Sequence, residues 1–100
     1  NAVMLAKLLD GQPGIVTPFP PVLNQVLIDC APSRLDDRAA HQFIAGVCRA
    51  VQANGETWIG GTTHKGRPMA RYSVTNGATT EYDVKRTAQA IIAVVGARRG

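Results

Sequence analysis

Residues 11 to 23, GQPGIVTPFPPVL, hold four prolines and two glycines. Each proline fixes its own φ and removes a backbone donor, so this stretch can be neither a helix nor a central strand. Ile15, Val16, Phe19, Val22 and Leu23 nevertheless make it too apolar for a free linker. An extended strap pinned to a surface satisfies both constraints, and part of that surface need not belong to these 100 residues.

The strap divides the chain. Before it, VMLAKLL (3–9) suits the last turns of a helix that Gly11 and Pro13 bring to an end. After it, Asn24 to Cys30 (NQVLIDC) has the aliphatic and β-branched content of a strand and is bounded by Pro21 and by Ala31-Pro32-Ser33. A helix then begins near Asp36 or Asp37, either of which can cap the free N–H groups, with Leu35 able to staple it from outside. Ala40, Phe43, Ile44, Val47 and Val51 form one apolar stripe along it, and Asn54-Gly55 supplies a left-handed stop.

Residues 57 to 75 read as a hairpin: Thr57 to Thr63 outward, a turn around His64-Lys65-Gly66-Arg67, and Met69 to Thr75 back. Period two puts Ala70, Tyr72 and Val74 on one face, and Met69, Arg71, Ser73 and Thr75 on the other. Gly60 and Gly61 inside a strand mark either a bulge or a place where something approaches the backbone closely. A last helix starts at Thr80 with Asp83 as capping-box partner. Its stripe is Val84, Ala88, Ile91, Ile92 and Val95, and Arg98 and Arg99 lie at the negative end of its dipole. The expected fold is α+β: about three antiparallel strands with amphipathic helices on one face, preceded by a helix end and the strap. The expected division is 1–23 for the helix end and strap and 24–100 for the small domain, with Asn1 and Ala2 read as a tag remnant.

A chain of 100 residues is about one domain, large enough to bury a single core. No apolar run approaches the ~20 residues of a membrane span, and the start lacks the basic region and cleavage site of a signal peptide. Cys30 and Cys48 have no CxxC spacing and read as reduced, buried small hydrophobes, which favours the cytoplasm. With His41 and His64 they are too sparse for a metal site. The net charge of +4 is spread along the chain and only five residues in a hundred are aromatic, so charge alone argues for a solvated surface and against nucleic acid.

Motif chemistry is thin. The chain has no nucleophile elbow, phosphate loop, HExxH helix or calcium loop. The adjacent acids Asp36 and Asp37 are explained by capping. Lys65, after His64, lies in a turn, which is exposed and a poor place for a lysine activated by burial. No residue is assigned a catalytic or metal-binding role. Arg71 is the residue that asks for a reason. Its stem can cover sheet surface while its head reaches water. Alternatively, its planar fork, held on a rigid strand, can grip a carboxylate with two hydrogen bonds.

VLNQVLIDC (22–30), VQANGETWIGGTTHKGRPMARYSVTNGATTEYDV (51–84) and the closing helix together resemble the C-terminal small domain of the group II pyridoxal-phosphate-dependent amino-acid decarboxylases, which include glutamate and aromatic-amino-acid decarboxylases. The likeness runs from about Leu5 to Val95. It is most specific at Leu23-Asn24-Gln25-Val26-Leu27, at Gly61-Thr62, and along the Arg71 strand into Asn76 and the Thr79-Thr80-Glu81-x-Asp83-Val84 helix start. The resemblance implies a fold-type I enzyme, a homodimer when complete, acting on an amino acid. Its small domain would close over pyridoxal phosphate carried by a large domain not contained in this chain. It also implies that Arg71 is the substrate-binding residue, holding the substrate's carboxylate. Removing carbon dioxide requires the bond to that carboxylate to be held in one orientation, which such a clamp provides. The family's cofactor-anchoring lysine belongs to the large domain, so no cofactor and no activity are expected of this chain alone. Gly77 departs from the aromatic or proline that often follows the asparagine.

From another class, β-α-β-β-α after the first helix also matches most of a ferredoxin-like regulatory or RNA-binding module. Such modules normally add a final strand, and the hairpin lacks the aromatics that an RNA-recognition sheet uses.

Overall fold

The strap is held where the prolines leave it free to bond. In the computed structural model, which describes residues 2–21, 24–55, 59–74 and 81–99, Ile15 is driven into the core at 2% exposure. Val16 forms an antiparallel bridge with Asp29, giving and receiving backbone bonds of 2.9 and 2.7 Å. The Thr17 N–H donates to Asp10 Oδ1 at 3.0 Å, and the Phe19 ring meets His64 edge-on, with centroids 4.5 Å apart. The chain itself thus pins the strap at Ile15 and through these bonds, while Val16 and Phe19 stay exposed at 51% and 39%. Val22 and Leu23, read as its apolar end, lie outside the described residues, as do Asn1, Thr57, Thr75, Asn76, Gly77 and Thr80.

Helix α1 spans Ala2–Leu9, strand β1 Gln25–Ile28, helix α2 Asp37–Ala53, strand β2 Ile59–His64, strand β3 Arg67–Ser73 and helix α3 Glu81–Arg99. Asp36 is the cap of α2: its Oδ1 accepts the Ala39 N–H at 2.8 Å, while Asp37 adds negative charge in the first turn. Gly55, at φ 93°, ends the helix in the left-handed region. The α2 stripe is buried as its spacing requires, although Phe43 is only half-buried, and Gly46 and Cys48 join the buried set.

The sheet is antiparallel throughout, in the order β1-β3-β2. With β3 lying between them, β1 and β2 run parallel and α2 connects them, a split β-α-β arrangement. Lys65 and Gly66, at φ 51° and 81°, make the two-residue turn between β2 and β3, a conformation open to few residues besides glycine at its second position. Strand β3 begins two residues earlier than its apolar pattern suggested, and so includes Pro68. That proline is tolerated because β1 pairs only as far as Ala70, leaving no β1 partner opposite residue 68 to need its missing N–H. Gly60 and Gly61 pair one-to-one with Arg71 and Ala70, so the bulge expected as one alternative does not occur.

All three helices feed one core. Helix α2 lies on β2 and β3, α1 reaches β1, and α3 packs on both α1 and α2. Leu5, Leu9, Ile15, Val26, Ile28, Val47, Val51, Ile91 and Val95 are all buried to 2% exposure or less, so helix α1 and the strap share one core with the sheet. Arg99 Nη1 donates to the Cys30 carbonyl at 2.9 Å, and its stem fills the space a side chain at Gly14 would need. The Arg98 guanidinium lies over Gly46, tying the end of α3 down to α2. Among the described residues, no helix is long and apolar enough to cross a membrane.

The two cysteines are free, at 1% and 5% exposure. Burial, then the neighbouring Cys48 and Asp29, push the Cys30 thiol up to about 12, and burial raises Cys48 as well. The folded chain thus holds the Cys30 proton more tightly than the unfolded one. Its stabilising contribution is whole below the ordinary thiol range, about pH 8.5, and is lost as pH rises towards 12. The urea midpoint is expected to fall between about pH 8 and about pH 10, and to fall less in Cys30→Ala. Equal slopes in the two proteins would show that the thiol is not protected by folding.

Candidate functional site

Alternation along β3 sorts its side chains as the sequence implies. Ala70, Tyr72 and Val74 are buried beneath the helices, and Arg71 is exposed on the opposite face of the sheet. Met69 also points to that open face, yet it is only 4% exposed and stands outside the helix-side core. The open face therefore has its own small covered patch beside the exposed Arg71.

Register fixes the surroundings of Arg71. Leu27 of β1 stands opposite on one side and Gly60 of β2 on the other. Leu27 supplies an apolar wall. Gly60 supplies none, and nothing lies within 4 Å of where its Cβ would be. Its φ is not in the left-handed region, so the backbone does not demand glycine there. The guanidinium consequently has open space on its β2 side, and among the described residues it makes no hydrogen bond or ion pair.

Asp29, the acid at the end of β1, is engaged elsewhere. Arg67 Nε donates to Asp29 Oδ2 at 2.8 Å, and Arg67 Nη2 donates to the Ala31 carbonyl at 3.0 Å. The hydrogen bond to Asp29 raises the pKa of the Arg67 guanidinium. In the sequence, Arg67 reads as a turn residue. The only signal available was an arginine two positions before Arg71's own face-mate Met69, which does not reveal a partner 38 residues away.

The other candidates do not join Arg71. Lys65 is exposed at the hairpin turn, and Lys7 and Lys85 are exposed on helices, so none of the three lysines sits in an enclosed site where an aldehyde cofactor could be anchored. Among the described residues, no lysine therefore offers an enclosed anchor for pyridoxal phosphate. A groove of about 390 Å³ between α2 and β2 is lined by His41, Ile44, Ala45, Gly61, Thr62 and Thr63, apart from Arg71. Among the described residues, no three His, Cys, Asp or Glu side chains cluster as metal ligands. No described Phe, Tyr or Trp of the strands faces the open side, since Tyr72 is turned into the core, so the stacking platform of an RNA-binding sheet is not formed there.

Among solved structures, the chain is similar to the glutamate decarboxylase domain of a diaminobutyrate-pyruvate transaminase and L-2,4-diaminobutyrate decarboxylase from Vibrio parahaemolyticus. The TM-score is 0.72 at 14% identity, covering 96% of this chain. The chain spans 20% of the length of that protein's chain. At this identity the likeness is one of fold. No protein-family model and no curated protein sequence matches the chain.

Proposed function

We propose that this chain is the small C-terminal domain of a pyridoxal-phosphate-dependent amino-acid decarboxylase, a carbon–carbon lyase, and that Arg71 binds the carboxylate of its substrate. The observation that carries the reading is an exposed arginine on the central strand, bounded by Leu27 and Gly60 and without an acid of its own among the described residues. The fold likeness over nearly the whole chain supports the same reading.

The role of each residue follows from its position. Strand β3, paired on both sides, fixes the Arg71 backbone, so the fork is presented from a rigid base rather than from a loop. Two N–H groups of one guanidinium can meet both oxygens of a carboxylate, which orients it as well as binding it. Leu27 excludes water from one side, and the gap at Gly60 admits the ligand from the other. The cofactor, which would carry the carbon-centred chemistry, is assigned to a large domain beyond this chain, and the complete enzyme to a cytoplasmic homodimer.

The test is carbon dioxide release by the complete protein, supplied with pyridoxal phosphate and a panel of L-amino acids that includes glutamate, 2,4-diaminobutyrate and the aromatic residues. Turnover of at least one is expected, and turnover of none overturns the reading. The 100-residue chain alone is expected to release none. A stoichiometric borohydride-trapped pyridoxyl adduct on its Lys65 would show that the cofactor had been assigned to the wrong part of the molecule.

A further inference from the structure

We infer that Arg67 is a positioning residue: it sequesters Asp29 and so keeps Arg71 available to an external carboxylate. The inference rests on the reading of Arg71 as the clamp. Strand β1 pairs Leu27 with Arg71 and ends its pairing at Ile28 with Ala70; continued by one residue, the same register would bring Asp29, which itself bridges Val16, opposite Met69. On the open face, Arg67 and Arg71 are then its two diagonal neighbours, one on either side. Diagonal neighbours across an antiparallel pair lie about 7–8 Å apart, within reach of a long side chain. Asp29 has two arginines to choose between.

It takes Arg67, at 2.8 Å. The choice is fixed by a second bond, because Arg67 also holds the Ala31 carbonyl at 3.0 Å, which draws its fork past the end of β1 and the Asp29 carboxylate with it. No other acid occurs in the described strands, so Asp29 is the one sheet carboxylate there able to compete with a ligand for Arg71. Without Arg67, Asp29 would be left as a tethered carboxylate beside the clamp. An intramolecular competitor of this kind lowers the apparent affinity for every carboxylate ligand without altering the clamp itself.

The test is an acetate titration of the isotope-labelled 100-residue chain, followed by nuclear magnetic resonance at the Arg71 side-chain N–H. In the unaltered chain and in Asp29→Asn the signal is expected to shift saturably with similar affinity. In Arg67→Met it should start displaced and bind acetate about threefold more weakly, the scale of an exposed ion pair. The double variant Arg67→Met with Asp29→Asn should recover the original affinity, which loss of a merely structural bond would not allow. If Arg67→Met does not give the dispersed spectrum of a folded chain, Arg67→Gln, which keeps a donor for the Ala31 carbonyl, takes its place. Unchanged acetate affinity on loss of Arg67, or no recovery in the double variant, overturns the inference while leaving the clamp standing. An acetate response that is missing at the Arg71 side-chain N–H of the unaltered chain, or one at the backbone N–H groups of the neighbouring Leu27 and Gly60 that persists in Arg71→Met, overturns the clamp itself.

Discussion

Replacing Arg71 by methionine in the complete protein is expected to lower kcat/KM for its amino-acid substrate at least tenfold, or about 1.4 kcal/mol. Methionine retains an unbranched apolar stem of useful length for covering the sheet and removes the charge and all the donors. The comparison therefore separates the two uses of the side chain. If Arg71 only spreads its stem over strand surface, the kinetics stay as they were. If its fork holds the carboxylate, both affinity and orientation suffer, and kcat falls along with the rise in KM. Arg71→Lys should recover part of the loss, because a point charge attracts a carboxylate but lacks the two parallel donors that align it.

Ile91→Ala should be the more damaging change for stability. Ile91 is fully buried on α3, the helix that packs against both α1 and α2. Truncating such a side chain loses its transfer free energy and leaves a cavity, together roughly 2–5 kcal/mol. A domain of this size has only about 5–15 kcal/mol of stability to lose. The urea midpoint of the chain should drop accordingly with little change in slope. Ala93→Ser, exposed on the same helix, should stay within about 0.5 kcal/mol of the unaltered chain. An Ile91→Ala loss as small as that control would mean that α3 is not docked as described.

The elements that local chemistry dictates were legible in the chain. The α2 stripe repeats at helical spacing, and Asp36 was one of two acids placed to cap it. The Lys65-Gly66 turn joins two strands whose alternation puts Arg71 opposite to Ala70 and Tyr72. The strap's prolines announced an extended segment, though not that Ile15 would enter the core or that Val16 would bridge to Asp29. Strand β3 was longer than its apolar pattern implied, because whether Pro68 is tolerated depends on where the neighbouring strand stops.

The candidate site divides along the same line. Period two is a property of the extended backbone, so the sequence alone determined that Arg71 lies on the face opposite to the core. What surrounds Arg71 depends on pairings between residues far apart in the chain. The β1-β3-β2 order sets Leu27 and Gly60 beside it, and the fold brings Asp29 onto Arg67. No local pattern encodes such pairings, because they result from docking α1 and α2 on one sheet and α3 on those two helices. Tertiary structure alone decided that Asp29 belongs to Arg67, and with it that Arg71 faces outward without an acid of the sheet to hold it.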